Sequence, residues 1–199
     1  MRNRMIGTLS IVLGFGALLG WTTTRLPLTL KPESRLWVEG TSSTRDWKCA
    51  AGAFDATVDV ADTDAVRSVV AGEKSVRSVQ IDVQTARMDC KNGTMNEHML
   101  KALKAKDNPV ISFRLATYEL AKTGEAAQGT LAGFLKIGGV ERPVTLIVDL
   151  KDTGDGVLRV TGTHEVNMRD FDLKPPSLML GMIKVGEKVK VSFDLLLTS

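Results

Sequence analysis

The chain has 199 residues, of which 43% are hydrophobic and 25% charged. That is enough apolar material for one sizeable core and too much for a disordered chain. The net charge of +3 is dispersed and aromatics make up only 5%, which argues against a nucleic-acid surface or a base-stacking platform.

Arg2 and Arg4 precede an uncharged apolar run, Met5 to Trp21, that ends in Thr22-Thr23-Thr24. A basic start, a hydrophobic middle and a polar exit are the layout of an export signal. The run falls short of the roughly 20 residues of a comfortable membrane span, so residues 1–24 are expected to be either a cleaved signal or a retained anchor. Gly7, Gly14, Gly16 and Gly20 make a buried soluble helix a poor alternative. Loss of Arg2 and Arg4 with this segment would take the net charge from +3 to +1. Residues 25–33, with Pro27 and Pro32, are expected to be a linker, and residues 34–199 a single domain. Outside the cytoplasm Cys49 and Cys90, the only cysteines, are expected to form a disulfide, with two free thiols as the alternative.

Alternation of period two then dominates. It predicts strands at Arg35 to Gly40, Phe54 to Val60, Val76 to Val83, Val110 to Leu120 and Thr130 to Ile137. Gly138-Gly139 supplies a reversal into Val144 to Leu150, with Pro143 near the start of that run. Further strands follow at Val157 to Val166 and Lys188 to Thr198, the last being the most regular. The exception is Thr94 to Lys106, where Met95, Met99, Leu100 and Leu103 fall at helical spacing, with Thr94 and Glu97 placed as a capping box. About eight strands joined mostly by short turns predict an all-β fold, a closed antiparallel barrel with one short helix. Such a barrel holds either packed side chains or one elongated ligand.

The chemistry-bearing residues are sparse. His98 and His164, the only histidines, each stand beside a glutamate and are expected on the surface. There is no nucleophile elbow, phosphate loop or zinc-protease motif. No catalytic residue, metal site or cofactor is expected. Asp46-Trp47 beside Cys49 is expected to be a tryptophan packed at a barrel corner. Phe171 to Gly186, with Pro175-Pro176 and a run of leucines and methionines, is expected to fold over a barrel end.

Four stretches, in order, resemble the YceI-like family of extracytoplasmic, lipocalin-like barrels. They are Gly40-Thr41-Ser42 with Asp46-Trp47-Lys48-Cys49, Asn108 to Phe113, Gly129 to Val144, and Asp170 to Gly181. The resemblance covers about Ser34 to Leu197 and is closest to the subgroup with the Gly-Thr-Ser…Asp-Trp-x-Cys start. Arg45 stands where that subgroup is expected to carry a histidine. The resemblance implies a non-enzymatic carrier for a long-chain amphiphilic lipid such as a polyisoprenoid or prenyl quinone, with no nucleic-acid partner. Membrane association through the N-terminal segment and a homodimer are both compatible with it. A packed barrel without ligand, acting as an envelope module, is the alternative. If the barrel is hollow, the expected lining is Phe113, Leu115, Leu131, Leu135, Val144, Leu146, Val148, Val191 and Phe193, with Leu178, Met179 and Met182 from the covering loop. Alternation alone leaves open which face is inside. Inward Gly133 and Gly162 lean towards free space.

Overall fold

The structure, a computed structural model, describes residues 26–178 and 182–198. The segment expected to be an export signal or anchor lies outside the described residues. The strands are β1 (Leu26–Leu30), β2 (Arg35–Ser42), β3 (Trp47–Ala51), β4 (Phe54–Val60), β5 (Val76–Gln84), β6 (Met88–Asp89), β7 (Val110–Thr123), β8 (Ala126–Ile137), β9 (Val140–Asp152), β10 (Val157–Asn167), β11 (Ser177–Leu178) and β12 (Ile183–Thr198). Two helices, α1 (Ala65–Val70) and α2 (Gly93–Ala102), interrupt them.

Pairing reduces these segments to eight positions. β1 and β2 both pair with β12, while β4 pairs with β1 and β3 with β2. In turn β5 pairs with β4 and β6 with β3. Each of the couples β1–β2, β3–β4 and β5–β6 is therefore one bent strand crossing the full height of the wall. The bends are themselves tied together, since the Gly52 N–H donates to the Arg87 carbonyl at 2.7 Å. From β7 to β12 the order is a simple antiparallel meander, and β12 returns to β1 through Thr29↔Thr198 and Leu30↔Leu197. The result is a closed eight-strand antiparallel barrel, as the alternation predicts.

Pro27 lies within β1, so the expected linker is in part barrel wall. Among the described residues β1 is bonded over Leu26–Leu28 on the β4 side only, and on such an edge a missing N–H is tolerated. Pro143 sits inside β9 on the same terms. β9 pairs with β10 only from Val148 to Asp152, and above that level the two strands separate. There the Arg142 Nε donates to the Asp170 carbonyl at 2.8 Å and spans the gap.

The two ends of the barrel differ. At the floor, where both β1 and the end of β12 lie, α1 packs Ala65, Val66 and Val69 into the main apolar cluster with Val148, Leu150, Leu158 and Leu195. This helix is absent from the sequence reading because its valines are poor helix formers and it has only six residues. At the mouth a second cluster gathers Ile137, Val166, Met168, Phe171, Leu173 and Val189. α2 also lies at this end, and none of its residues is buried. Its cap is Asn92 rather than Thr94: the Asn92 Oδ1 accepts from the Met95 N–H at 3.0 Å. The helix stops at Ala102, four residues before the expected end, with Lys104 in the left-handed region.

α2 is held mainly through its first turns. The disulfide Cys49–Cys90 ties β3 to the residue after β6. Asn96 then accepts from the Cys90 N–H at 2.8 Å and donates to Asp89 at 3.0 Å. The bonds from Asn96 and from Lys91 hold the Asp89 carboxyl down at about 2. Because the folded value is depressed, the stabilisation from this carboxylate is complete above about pH 3.8 and is lost as pH falls through about 2. The Asn96 side-chain amide should accordingly report, by NMR, a titration with its midpoint near 2, and a midpoint near 3.8 would show that the tether does not hold in solution. Removing the disulfide, which spans a sequence separation of 41 residues, should cost more. Chain entropy sets an upper value of about 4 kcal/mol. A Cys49→Ser/Cys90→Ser variant should lose about 2–4 kcal/mol, read as a lower urea midpoint.

Candidate functional site: an apolar cavity inside the barrel

Inward-facing side chains at mid-height are apolar yet only half-buried: Leu131, Leu146, Leu115, Ile81 and Phe193. Deep in a packed barrel such residues would be fully covered. Here they look onto a cavity of about 530 Å³ that runs from Val69 of α1 to α2 at the mouth. The volume lies within the range of small-molecule sites. Nine expected lining residues face it: Phe113, Leu115, Leu131, Leu135, Val144, Leu146, Val148, Val191 and Phe193. Met182 does not, being 69% exposed at the entry to β12. Met179 and the side chain of Leu178 lie outside the described residues.

The strands explain the lining. On β12, Val189, Val191, Phe193, Leu195 and Leu197 keep one parity and all face in. On β8, Leu131 and Leu135 do the same, opposite Leu146 and Arg142 of β9. β7 changes parity. The register shifts between Leu115 and Thr117, so that Ala116 is the extra residue of a β-bulge. Phe113 and Leu115 line the cavity below the bulge in sequence, and Tyr118 and Leu120 after it. Simple alternation would have turned Tyr118 outward. Its hydroxyl is engaged at the wall, accepting from the Val76 N–H and donating to the Val76 carbonyl, both at 3.0 Å.

Gly133 and Gly162 do not provide the space. A methyl group on Gly162 would stand 2.5 Å from the Phe193 ring, and one on Gly133 would stand 2.8 Å from the Phe113 ring. Each glycine is the bed on which an aromatic ring lies across the strand. Gly40 plays the same part for Trp47, whose ring would meet a methyl there at 2.3 Å and whose Nε1 donates to the Thr41 carbonyl at 3.1 Å. Trp47 is thus packed at a barrel corner, as expected, and it also lines the cavity.

The polar members of the wall gather near the mouth. Both histidines, expected on the surface, line the cavity. His164 follows Leu158, Val160 and Gly162 on the inward parity of β10, a signal already present in the sequence. His98 shares its face of α2 with Met95, Met99 and Ala102. Register sets His164 beside Val191, Val38 and the disulfide residue Cys49 in one row across four strands. Arg45, the α2 cap Asn92 and the α2 residue Thr94 complete the rim. No carboxylate lines the cavity among the described residues, so neither histidine has a carboxylate within the cavity to pair with. Nor do the described residues include a cluster of three or more His, Cys, Asp or Glu able to hold a metal ion.

This arrangement defines a class before it defines a family: a small closed barrel with a sealed floor, an apolar interior and a polar rim. Residues 34–197 match the YceI-like domain model, and the chain belongs to that family. Solved structures agree on the fold. The crystal structure of BcnA from Burkholderia cenocepacia is 18% identical with a TM-score of 0.64, covering 82% of this chain and 95% of its own. A polyisoprenoid binding domain from Saccharophagus degradans, implicated in plant cell wall breakdown, is 12% identical with a TM-score of 0.62, covering 86% and 98%. The YCEI protein of Campylobacter jejuni is 16% identical with a TM-score of 0.58, covering 74% and 82%. No curated protein matches the chain in sequence.

Burial within the apolar wall pushes the His164 pKa below 6.5, against a smaller opposing pull from Glu165. The sign follows. Above 6.5 the group has no effect on stability. As pH falls below 6.5 the unfolded chain takes up the proton first, and stability is lost until the folded pKa is passed. In His164→Gln the fall in unfolding free energy below pH 6.5 should therefore be shallower than in the wild type, and parallel curves would place His164 in water rather than in the wall.

Proposed function

We propose that this protein is a non-enzymatic carrier that works outside the cytoplasm and encloses the apolar tail of a long-chain amphiphilic lipid, a polyisoprenoid or prenyl quinone being the expected type. The observation that carries this reading is the apolar cavity of about 530 Å³ inside the barrel. At roughly 30 Å³ for a water- or methylene-sized group, it has room for about 18 such groups. Each buried CH₂ contributes about 0.8 kcal/mol, so a tail of that length supplies ample affinity before ordering costs. The polyisoprenoid binding named for the Saccharophagus domain supports the same class of ligand. The Cys49–Cys90 bond supports an oxidising compartment, and the basic-then-apolar N-terminal segment supports export through it. The competing packed-barrel module is disfavoured by the half-exposed inward side chains at mid-height.

Native mass spectrometry of the exported full chain should show a co-purified lipid, or uptake of an added one. In a series of single-chain ligands, affinity should rise by a few-fold per CH₂ and level off near 15–20 chain groups, where the cavity is full. Leu146→Trp, which adds bulk at mid-height opposite Leu131, should move that plateau to shorter chains while the thermal midpoint stays close to the wild type. A clean apo mass together with no uptake of any tail would overturn the carrier reading.

A further inference from the structure

The cavity wall carries one formal charge. Among the described residues that line it, Arg45 is the only one charged at neutral pH, and no aspartate or glutamate joins it. Asp46, next in sequence, is exposed and outside the wall. No side-chain hydrogen bond or ion pair engages the Arg45 guanidinium among the described residues. Yet the turn that bears it is firmly set. The Ser42 Oγ donates to the Arg45 carbonyl at 2.7 Å and accepts from the Arg45 N–H at 3.2 Å. The neighbouring Ser43 ties the same turn to the entry of β12, its N–H donating to the Lys184 carbonyl at 2.9 Å. A held backbone thus carries an exposed cation, unpartnered among the described residues, at the edge of an apolar chamber.

We propose that the rim is an anionic head-group site. Arg45, with His98, Asn92 and Thr94 facing the same opening from α2, selects amphiphiles that end in a carboxylate or a phosphate. This narrows the carrier reading, since it favours an acid-ended chain over a prenyl quinone, and rests on it. The guanidinium fork matches either oxyanion in two parallel hydrogen bonds, while the amide of Asn92, the hydroxyl of Thr94 and the imidazole of His98 supply further polar partners. At the opposite end α1 closes the cavity with Ala65, Val66 and Val69, and the Tyr118 hydroxyl on that side is already bonded to Val76. The ligand is therefore oriented, tail to the floor and acid to the mouth. An uncharged head group would gain the burial of its tail and leave Arg45 to water.

The test is displacement of a fluorescent lipid probe from the full chain by three ligands that share a sixteen-carbon alkyl tail: heptadecanoic acid, hexadecyl phosphate and hexadecanol. At low salt both acids are expected to bind about tenfold more tightly than the alcohol, an advantage that raised salt erodes as it screens an exposed cation. The ratio between the two acids then identifies carboxylate or phosphate as the preferred form. In Arg45→Gln the acid-to-alcohol ratio should fall towards one, and Arg45→Lys should keep part of it. The variant's thermal midpoint verifies its fold, and the salt dependence of the wild type tests the site without any variant. Equal binding of all three ligands by the wild type, or an acid preference that persists in Arg45→Gln, would overturn the head-group site and leave the carrier reading standing. Failure of all three to bind would instead overturn the carrier reading.

Discussion

An eight-strand sheet left open would present two rows of unpaired N–H and C=O groups. In this chain the last strand removes both. β12 is 16 residues long, pairs with β10 along one side, and along the other meets first β2 and then β1. Everything else depends on that closure. It forces a single inward face, so the alternating side chains of eight positions converge on one axis. It also forces the early strands to bend at 31–34, 52–53 and 85–87, because β12 exceeds any one of them in length. The two breaks at Gly52 and Arg87 are bonded to each other rather than left unsatisfied.

Closure alone does not make a chamber, because eight strands bring opposite walls close enough for side chains to fill the middle. Two apolar clusters do fill the ends, one built around α1 and the other around Phe171 and Leu173. Between them the large rings of Phe113 and Phe193 lie flat over Gly133 and Gly162 instead of reaching across the axis. Glycine thus acts here by letting aromatics fold against the wall. A small residue makes room indirectly, through what it allows its neighbour to do.

Regular stretches of the fold were legible because their physics is local. β12 announces itself by five apolar residues at period two, and Gly138-Gly139 by the positive φ that both residues adopt between β8 and β9. The nine wall residues that the sequence proposed, Phe113 through Phe193, lie on strands that hold one parity or change it outside the proposed set. What escaped was non-local. The bulge at Ala116 that admits Tyr118 depends on register with β8, and α1 depends on burial against the barrel rather than on its own valine-rich propensity. Pro27 joins a strand whose other side meets no partner among the described residues at that level. The histidines are a different case: the parity of β10 and the stripe on α2 both pointed inward, but polar residues flanked by glutamates suggested solvent. Their placement near the mouth reconciles the two signals, since the rim is where an inward face can still be polar.

The chain enters and leaves the barrel at the same end. Leu30 pairs with Leu197 beside the α1 floor, while Arg45 and α2 stand at the other pole. The first 25 residues are therefore joined to the closed end of the vessel. An attachment made through them would leave the opening on the far side, free to face away from whatever the chain is fastened to. Loading and unloading would then take place at arm's length from that surface, through contact with an object on the other side.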